Sequence, residues 1–180
     1  MAGMEFVKYM GSPPKHELER EIIKNSSTVT MGDVVSWSSG FLDVTGATAK
    51  VFGLVEGFVT KDGVALDNAL ASEYDGTWTT GGLGVGTYVS SSDNQTDKQV
   101  KVLIRLLVPG MVLTSPLDGT IGTTTGSDLK GYYADMVAAS DQLDETSATT
   151  SESQFMLLGQ DPNKGGNNVW CIPAELAYSF

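Results

Sequence analysis

The sequence predicts a mainly β protein with little helix, built from two small β-barrel-like or β-sandwich-like modules behind an extended N-terminal arm. Three observations predict this class. Short apolar runs recur about nine residues apart and are separated by glycine-containing turns. Only 18% of the 180 residues are charged, and Gly, Ser and Thr fill much of the remainder. Hydrophobic residues reach 41%, which is enough for a folded core.

Residues 1–28 are predicted to form the arm. Phe6, Tyr9 and Met10 are apolar residues without an obvious partner element, and the Gly-Ser-Pro-Pro sequence that follows breaks regular structure. A strand that folds into the chain's own sheet is the alternative for this segment. Residues 17–24 fit a short helix or an extended strand, and periodicity does not separate the two.

Residues 29–108 are predicted to form the first β module. Short apolar runs at residues 33–37, 41–44 and 51–55 alternate with turn signals at glycines, a spacing typical of a small barrel or sandwich. A Lys-Asp-Gly sequence at residues 61–63 predicts a tight turn, in which the glycine supplies the positive φ.

The clearest single strand is predicted at residues 100–108. Every second residue there is apolar, so one face must lie in the core, while the other face is mixed, as on a half-covered sheet. The residues predicted to face the core are Val100, Val102, Ile104, Leu106 and Val108.

Residues 109–180 are predicted to form a second β-rich module. Apolar runs at residues 155–158 and 169–172 predict a final hairpin around a polar turn. Residues 127–139 fit the start of a helix with a serine cap, although Gly131 weakens that interpretation.

The formal net charge of −11 argues against nucleic acid as a partner, because phosphate binding relies on clustered Lys and Arg. The acidity favours solubility and keeps copies apart until a specific contact overrides it. The first ten residues contain no continuous apolar run, and no run of about 18 apolar residues exists, so neither a signal peptide nor a membrane span is expected. The sequons at Asn25 and Asn94 therefore carry little weight in a protein of cytosol-like conditions.

The residue types that carry catalysis are scarce. His16 is the single histidine and lies in the predicted arm, where nothing fixes it as a general base. Cys171 is the single cysteine and lies in an apolar run, so a buried, inert thiol is expected. Zinc and nucleophile–histidine chemistry are therefore not expected. The glycine-rich residues 81–86 lack the lysine and the spacing of a phosphate loop, so no cofactor is expected.

Acidic residues are plentiful, and paired carboxylates can hydrolyse glycosidic bonds. Most of them neighbour Gly or Ser, where Asp usually bonds its own backbone, so solvated turn residues are expected instead of a catalytic pair. A calcium loop starting at Asp161 fits at Asn163 and Gly166, but Ile172 stands where a bidentate Glu belongs, so a hairpin turn is expected and no metal site. The carboxylates considered for catalysis are Asp33, Asp43, Glu56, Asp118, Asp128 and Asp135.

Three segments of the first β module follow one another in a distinctive order: Met-Gly-Asp-Val-Val at residues 31–35, Gly-Phe-Leu at 40–42 and Val-Phe-Gly-Leu-Val-Glu-Gly at 51–57. In that order they resemble the N-terminal β module of tailed-phage head decoration proteins. The resemblance covers roughly residues 29–170, and the order of the pieces counts for more than any one of them. The later matching segments are residues 88–110, 118–122, 126–132, 141–145 and 154–162.

The resemblance implies a cement role. Such proteins bind the exterior of an expanded capsid at three-fold or quasi-three-fold positions, often as trimers, and clamp neighbouring major capsid subunits. For this chain it implies a homotrimeric virion protein, assembled in the host cytoplasm, that is not an enzyme. Phe6, Tyr9 and Met10 are the candidates for capsid contact, since an apolar arm can order on a neighbouring subunit.

A carbohydrate-binding or adhesion β module is the alternative function, because tryptophans can stack on sugar rings. A tail or neck component of the virion and a hydrolase are two further classes. The tryptophans are Trp37, Trp78 and Trp170.

Overall fold

The structure is a computed structural model, which describes residues 4–10, 19–45, 50–79, 86–108, 110–119, 130–137, 142–144, 153–164 and 166–174. Within these residues the protein is mainly β, with antiparallel sheets in a sandwich-like arrangement and no closed barrel, which confirms the predicted fold class. The strands are β1 (Glu5–Tyr9), β2 (Glu19–Ile22), β3 (Thr28–Thr30), β4 (Val34–Ser38), β5 (Phe41–Val44), β6 (Gly53–Val59), β7 (Thr77–Thr79), β8 (Thr87–Val89), β9 (Lys101–Leu106), β10 (Met111–Pro116), β11 (Tyr133–Ala134), β12 (Phe155–Gln160) and β13 (Asn168–Pro173).

The chain forms two compact units that are not contiguous in sequence. Unit 1 contains Met1–Lys15, Thr45–Phe52 and Leu107–Phe180, and unit 2 contains His16–Val44 and Gly53–Leu106. The chain therefore passes from one unit to the other four times.

The sheet of unit 1 has the strand order β1-β10-β13-β12-β11 and is antiparallel at every pairing. All six residues of β10, which lies between β1 and β13, are buried, so both faces of this strand are covered. Met4, immediately before β1, is also fully buried. Of the two alternatives for the N-terminal segment, residues 5–9 therefore form the internal strand: they pair with β10, with an irregularity between Phe6 and Lys8.

The predicted final hairpin is confirmed by the pairing of β12 with β13. The helix considered at residues 127–139 is wrong for the part that the structure describes, residues 130–137, which hold a turn and β11. The backbone there is hydrogen-bonded to β12. The Gly131 amide donates to the Leu157 carbonyl (2.9 Å), and the Leu157 amide donates to the Tyr132 carbonyl (2.7 Å). Gly131 also has a φ of +79°, outside the helical region.

Unit 2 contains a five-stranded sheet, β2-β9-β6-β4-β5, and a three-stranded sheet, β3-β8-β7. β2 settles the ambiguity at residues 17–24 in favour of a strand for its four residues, which pair with β9. A parallel bridge joins Ile23 to Leu42, and the Lys24 amide donates to the Leu42 carbonyl (2.8 Å). The core of this unit includes Phe58 and Tyr88, whose rings are 6.1 Å apart.

The strand predicted at residues 100–108 is shorter in the structure, where β9 ends at Leu106. Val100, Val102 and Ile104 are fully buried as predicted. Leu106 and Val108 are only half-buried, and Leu107 is buried instead. The alternation stops where the chain leaves unit 2 for unit 1, between Leu106 and Leu107. The Leu107 amide donates to the Phe52 carbonyl (3.1 Å).

Helix is a minor component of unit 2. Helix α1 (Asn68–Glu73) begins at Asp67, whose carboxylate accepts from the Leu70 amide (2.8 Å). A single π-helical turn spans Asn94–Lys98. The tight turn predicted at residues 61–63 is confirmed, with a φ of +83° at Gly63.

Candidate functional surfaces

Two of the carboxylates considered for catalysis, Asp33 and Asp43, make hydrogen bonds within the fold. Asp33 accepts from the Thr30 amide (2.7 Å), so it is a turn residue as predicted, although it is buried and not solvated. Asp43 lies on β5 and accepts from the Ser27 hydroxyl (2.5 Å) and the Lys24 ammonium (2.8 Å). Burial alone would raise the pKa of Asp43, but the bonds from Lys24 and Ser27 outweigh burial and hold the pKa below its usual range.

Glu56 and Asp135 also make hydrogen bonds within the fold. Glu56 lies on β6 and accepts from the Arg105 guanidinium (2.7 Å), a cross-strand ion pair. Asp135 accepts a hydrogen bond from the Ser153 hydroxyl and another, at 3.4 Å, from the Gln154 amide. Asp118 is exposed in a bend, and Asp128 lies outside the described residues.

Cys171 and His16 are the single cysteine and the single histidine of the chain, and neither was expected to carry catalysis. Cys171 is fully buried on β13, and burial raises the pKa of its thiol far above the ordinary value. His16 lies outside the described residues. Across the part of the chain that the structure describes, no group of three or more His, Cys, Asp or Glu side chains is placed to hold a metal ion.

The segment tested as a calcium loop is the β12–β13 turn, as predicted. Asp161 is only 2% exposed, and its carboxylate accepts from the Thr114 hydroxyl (2.6 Å) and the amides of Asn163 (2.7 Å) and Lys164 (3.2 Å). Burial raises the pKa of Asp161, but these hydrogen bonds outweigh it and the pKa lies below its usual range. The carboxylate stabilises a turn.

Both asparagines of the sequons are structural. The Asn25 carbonyl oxygen accepts from the Gln95 amide (2.7 Å). Asn94 is fully buried: its amide group donates to the carbonyls of Ile23 (2.7 Å) and Val100 (3.2 Å), and its oxygen accepts from the Val100 amide (2.9 Å). Sequence reasoning missed this role, because Ile23 lies far away in the chain and Val100 lies beyond the π-helical turn.

The three tryptophans occupy different settings. Trp78 packs edge-on against Phe58, with ring centroids 5.5 Å apart, and the Trp170 ring lies 4.9 Å from the Lys8 ammonium. Trp37 is the most exposed, at 43%. It lies opposite Leu42 in the β4–β5 ladder, so its own face of the sheet is apolar. Ser36 and Asp43 form the neighbouring pair and point to the other face.

The candidates for capsid contact all lie at the N-terminal strand. Phe6 is half-buried on β1, and Tyr9 is paired with Met111 through the backbone. Met10 is 55% exposed, while its amide donates to the Gly110 carbonyl (2.7 Å). Met10 therefore presents an accessible apolar side chain.

One face of the unit 1 sheet gathers lysines around a tryptophan. Lys8 contacts the ring of Trp170, and Lys164 bonds Glu5 (2.7 Å). Lys130 lies across Gly159, since a Cβ built there would be 3.0 Å from Lys130 Cε. Register places these groups on the same face, because Glu5 is opposite Thr114, Thr114 is opposite Trp170, and Trp170 is opposite Gly159. We call Lys8, Lys130, Lys164 and Trp170 the lysine–tryptophan face.

The arrangement defines the protein as a mainly β chain whose described polar clusters support its sheets. Comparison with known proteins adds no family: no family model, curated protein or solved structure matches the chain. None of the helices in the described ranges is long and apolar enough to cross a membrane.

Proposed function

We propose that this chain is a tailed-phage capsid decoration protein, which binds the outer surface of the capsid and stabilises it by clamping neighbouring major capsid subunits. The ordered resemblance over roughly residues 29–170 supports this role. Among the described residues, buried polar groups in each unit serve the fold. Asn94 in unit 2 and Asp161 in unit 1 each make three hydrogen bonds that hold strands and turns in place.

A clamp must resist shear between the subunits that it joins. Antiparallel ladders meet this demand, because sliding one strand past another breaks several backbone hydrogen bonds together. In unit 1 the N-terminal strand is part of such a ladder. Met10, directly after that strand and 55% exposed, is the contact residue chosen for the test, and Phe6 and Tyr9 stay candidates.

Co-sedimentation with expanded, undecorated heads of the phage that encodes the chain tests the proposal. We expect saturable binding in multiples of three per three-fold position and a higher temperature of head disruption by calorimetry. Heads that neither bind the chain nor gain thermal stability would contradict it. Deleting residues 1–14 is a poor test, because the deletion removes β1 and the buried Met4.

A point variant tests the contact residue more cleanly. Met10→Ser removes an exposed apolar side chain, and Val64→Ser, at a residue 54% exposed in unit 2, is the matched control. We expect Met10→Ser to weaken binding to heads and Val64→Ser to leave it unchanged.

A carbohydrate-binding module is the second candidate, favoured by the exposure of Trp37. Sugar sites also need polar groups beside the stacking ring, and the cross-strand neighbour of Trp37 is Leu42. A glycan array separates the two functions: binding that Trp37→Ala abolishes would favour the carbohydrate role.

A further inference from the structure

We propose that Met10 is the oxidation-sensitive methionine of the folded chain, and that its conversion to the sulfoxide weakens the binding of the chain to capsid subunits. The effect on binding rests on the proposed function, which takes Met10 as a contact residue. The reactivity of Met10 is a property of the chain alone, so the two are tested apart.

The methionines differ in their exposure to solvent. The chain has seven, of which the structure describes six. Among those six, Met10 is 55% exposed, while Met31 and Met156 are half-buried. The fully buried methionines are Met4, Met111 and Met136. A dissolved oxidant therefore meets the side chain of Met10 first, and reaches the buried methionines only when the fold opens.

The reaction requires an oxidant and no further group of the protein. Hydrogen peroxide transfers one oxygen atom to the thioether sulfur of Met10. The O–O bond breaks, the sulfide is oxidised to the sulfoxide, and the peroxide is reduced to water. Access to the sulfur is thus the property that separates Met10 from the other described methionines.

The surroundings of Met10 accommodate the product. The Met10 amide donates to the Gly110 carbonyl (2.7 Å), which holds the backbone directly after β1. Because the side chain is more than half exposed, an oxygen added to its sulfur stays hydrated. Met111 differs, since it lies opposite Tyr9 and is fully buried, and a sulfoxide there would put a polar atom into the core.

Oxidation changes the character of the contact that Met10 offers. The thioether side chain is flexible, apolar and polarizable, which suits contact with another protein surface. The sulfoxide is polar, and burying it against an apolar partner removes its hydrogen bonds to water. Methionine sulfoxide reductases return the sulfoxide to the thioether, so the modification is reversible.

Peptide mapping by mass spectrometry, during exposure of the full chain to dilute hydrogen peroxide, is the first test. In the folded chain we expect Met10 to gain an oxygen atom at least about tenfold faster than each of the three fully buried methionines. In the urea-unfolded chain the rates are expected to converge, because burial is lost. A folded chain in which a buried methionine reacts as fast as Met10 overturns the proposal.

Binding to expanded heads before and after peroxide treatment is the second test. The chain oxidised at Met10, and still folded by circular dichroism, is expected to bind at least about fivefold more weakly than the untreated chain. Reductases for both sulfoxide epimers are expected to restore the binding. Unchanged binding of the oxidised chain overturns the proposed effect on the contact.

Two substitutions assign the effect to Met10. Met10→Leu cannot be oxidised at this position, so its Kd for heads after peroxide is expected to equal its own Kd before. Met31→Leu removes a half-buried methionine and is the matched control, which is expected to lose binding on oxidation as the wild type does. A loss that persists in Met10→Leu, or that Met31→Leu prevents, overturns the proposal.

Two further comparisons separate the possible failures. If the oxidised chain is misfolded, Met10→Gln introduces a polar side chain without an oxidant, and undiminished binding of that variant overturns the effect on the contact. Untreated wild-type chain that does not bind heads contradicts the proposed function and the effect of oxidation on binding together. Untreated chain that binds heads as well as chain oxidised at Met10 does contradicts the effect of oxidation alone.

Discussion

Replacement of Asn94 by aspartate is expected to destabilise unit 2 by about 3–5 kcal/mol at neutral pH. The side chain keeps its size, and its oxygen can still accept from the Val100 amide. The two donated bonds, to the carbonyls of Ile23 and Val100, are lost, at about 1 kcal/mol each. Their oxygens then face a carboxylate in a fully buried site, which adds about 1–3 kcal/mol for desolvation and repulsion.

The same substitution makes stability depend on pH in a defined direction. Burial and the two carbonyl oxygens raise the pKa of the introduced carboxyl group in the folded state above its unfolded value. The folded state therefore binds a proton more tightly, so the deficit is smallest below the unfolded pKa and grows as the pH rises through the folded pKa.

Urea unfolding followed by tryptophan fluorescence measures both effects, with Asn25→Asp as the matched control. Asn25 only accepts a hydrogen bond, from the Gln95 amide, and a carboxylate can do the same, so a change within about 0.5 kcal/mol is expected. If Asn94→Asp cost no more than Asn25→Asp at neutral pH, the account of the buried amide would be wrong.

Four further outcomes are expected. Tyr88→Phe removes a buried hydroxyl that has no hydrogen-bond partner, so urea unfolding is expected to show no loss, or a gain of about 1 kcal/mol. Gly76→Ala is expected to destabilise unit 2 by more than about 1 kcal/mol, because its Cβ would overlap the Tyr88 ring. The pKa of Asp161 is lowered in the folded state, so its contribution to the free energy of unfolding is present above the unfolded pKa and lost as the pH falls through the folded pKa. Acid unfolding of Asp161→Asn, followed by circular dichroism, is expected to lack this pH-dependent loss of stability. An acid-unfolding profile identical to that of the wild type would contradict this. Cys171 is expected to react with a thiol reagent only after unfolding, and fast labelling of the folded chain would contradict its burial.

The sequence predicted those elements whose structure depends on residues close together in the chain. The hairpin of β12 and β13 follows from two apolar runs around a polar turn, and Gly63 follows from the positive φ of a tight turn. The β9 prediction was correct up to Ile104 and then failed, because the chain leaves unit 2 for unit 1 between Leu106 and Leu107, a division that local alternation does not encode.

Contacts between distant segments could not be predicted from the sequence. The N-terminal strand is paired with a strand about one hundred residues later, a register that local periodicity does not encode. For the same reason nothing in the sequence indicated that Lys8 would lie over Trp170, or that Asn94 would join Ile23 to Val100. Asp43 lies on β5, within the apolar run predicted at residues 41–44, but its bonds from Ser27 and Lys24 join separate segments and could not be predicted.

Electron cryo-microscopy of expanded heads, reconstructed with and without the added chain, tests the central proposal most directly. The proposed function predicts additional β-rich density on the outer surface at three-fold or quasi-three-fold positions, into which the two units fit and which bridges neighbouring major capsid subunits. Identical reconstructions with and without the chain, or density confined to the tail or neck, would contradict it.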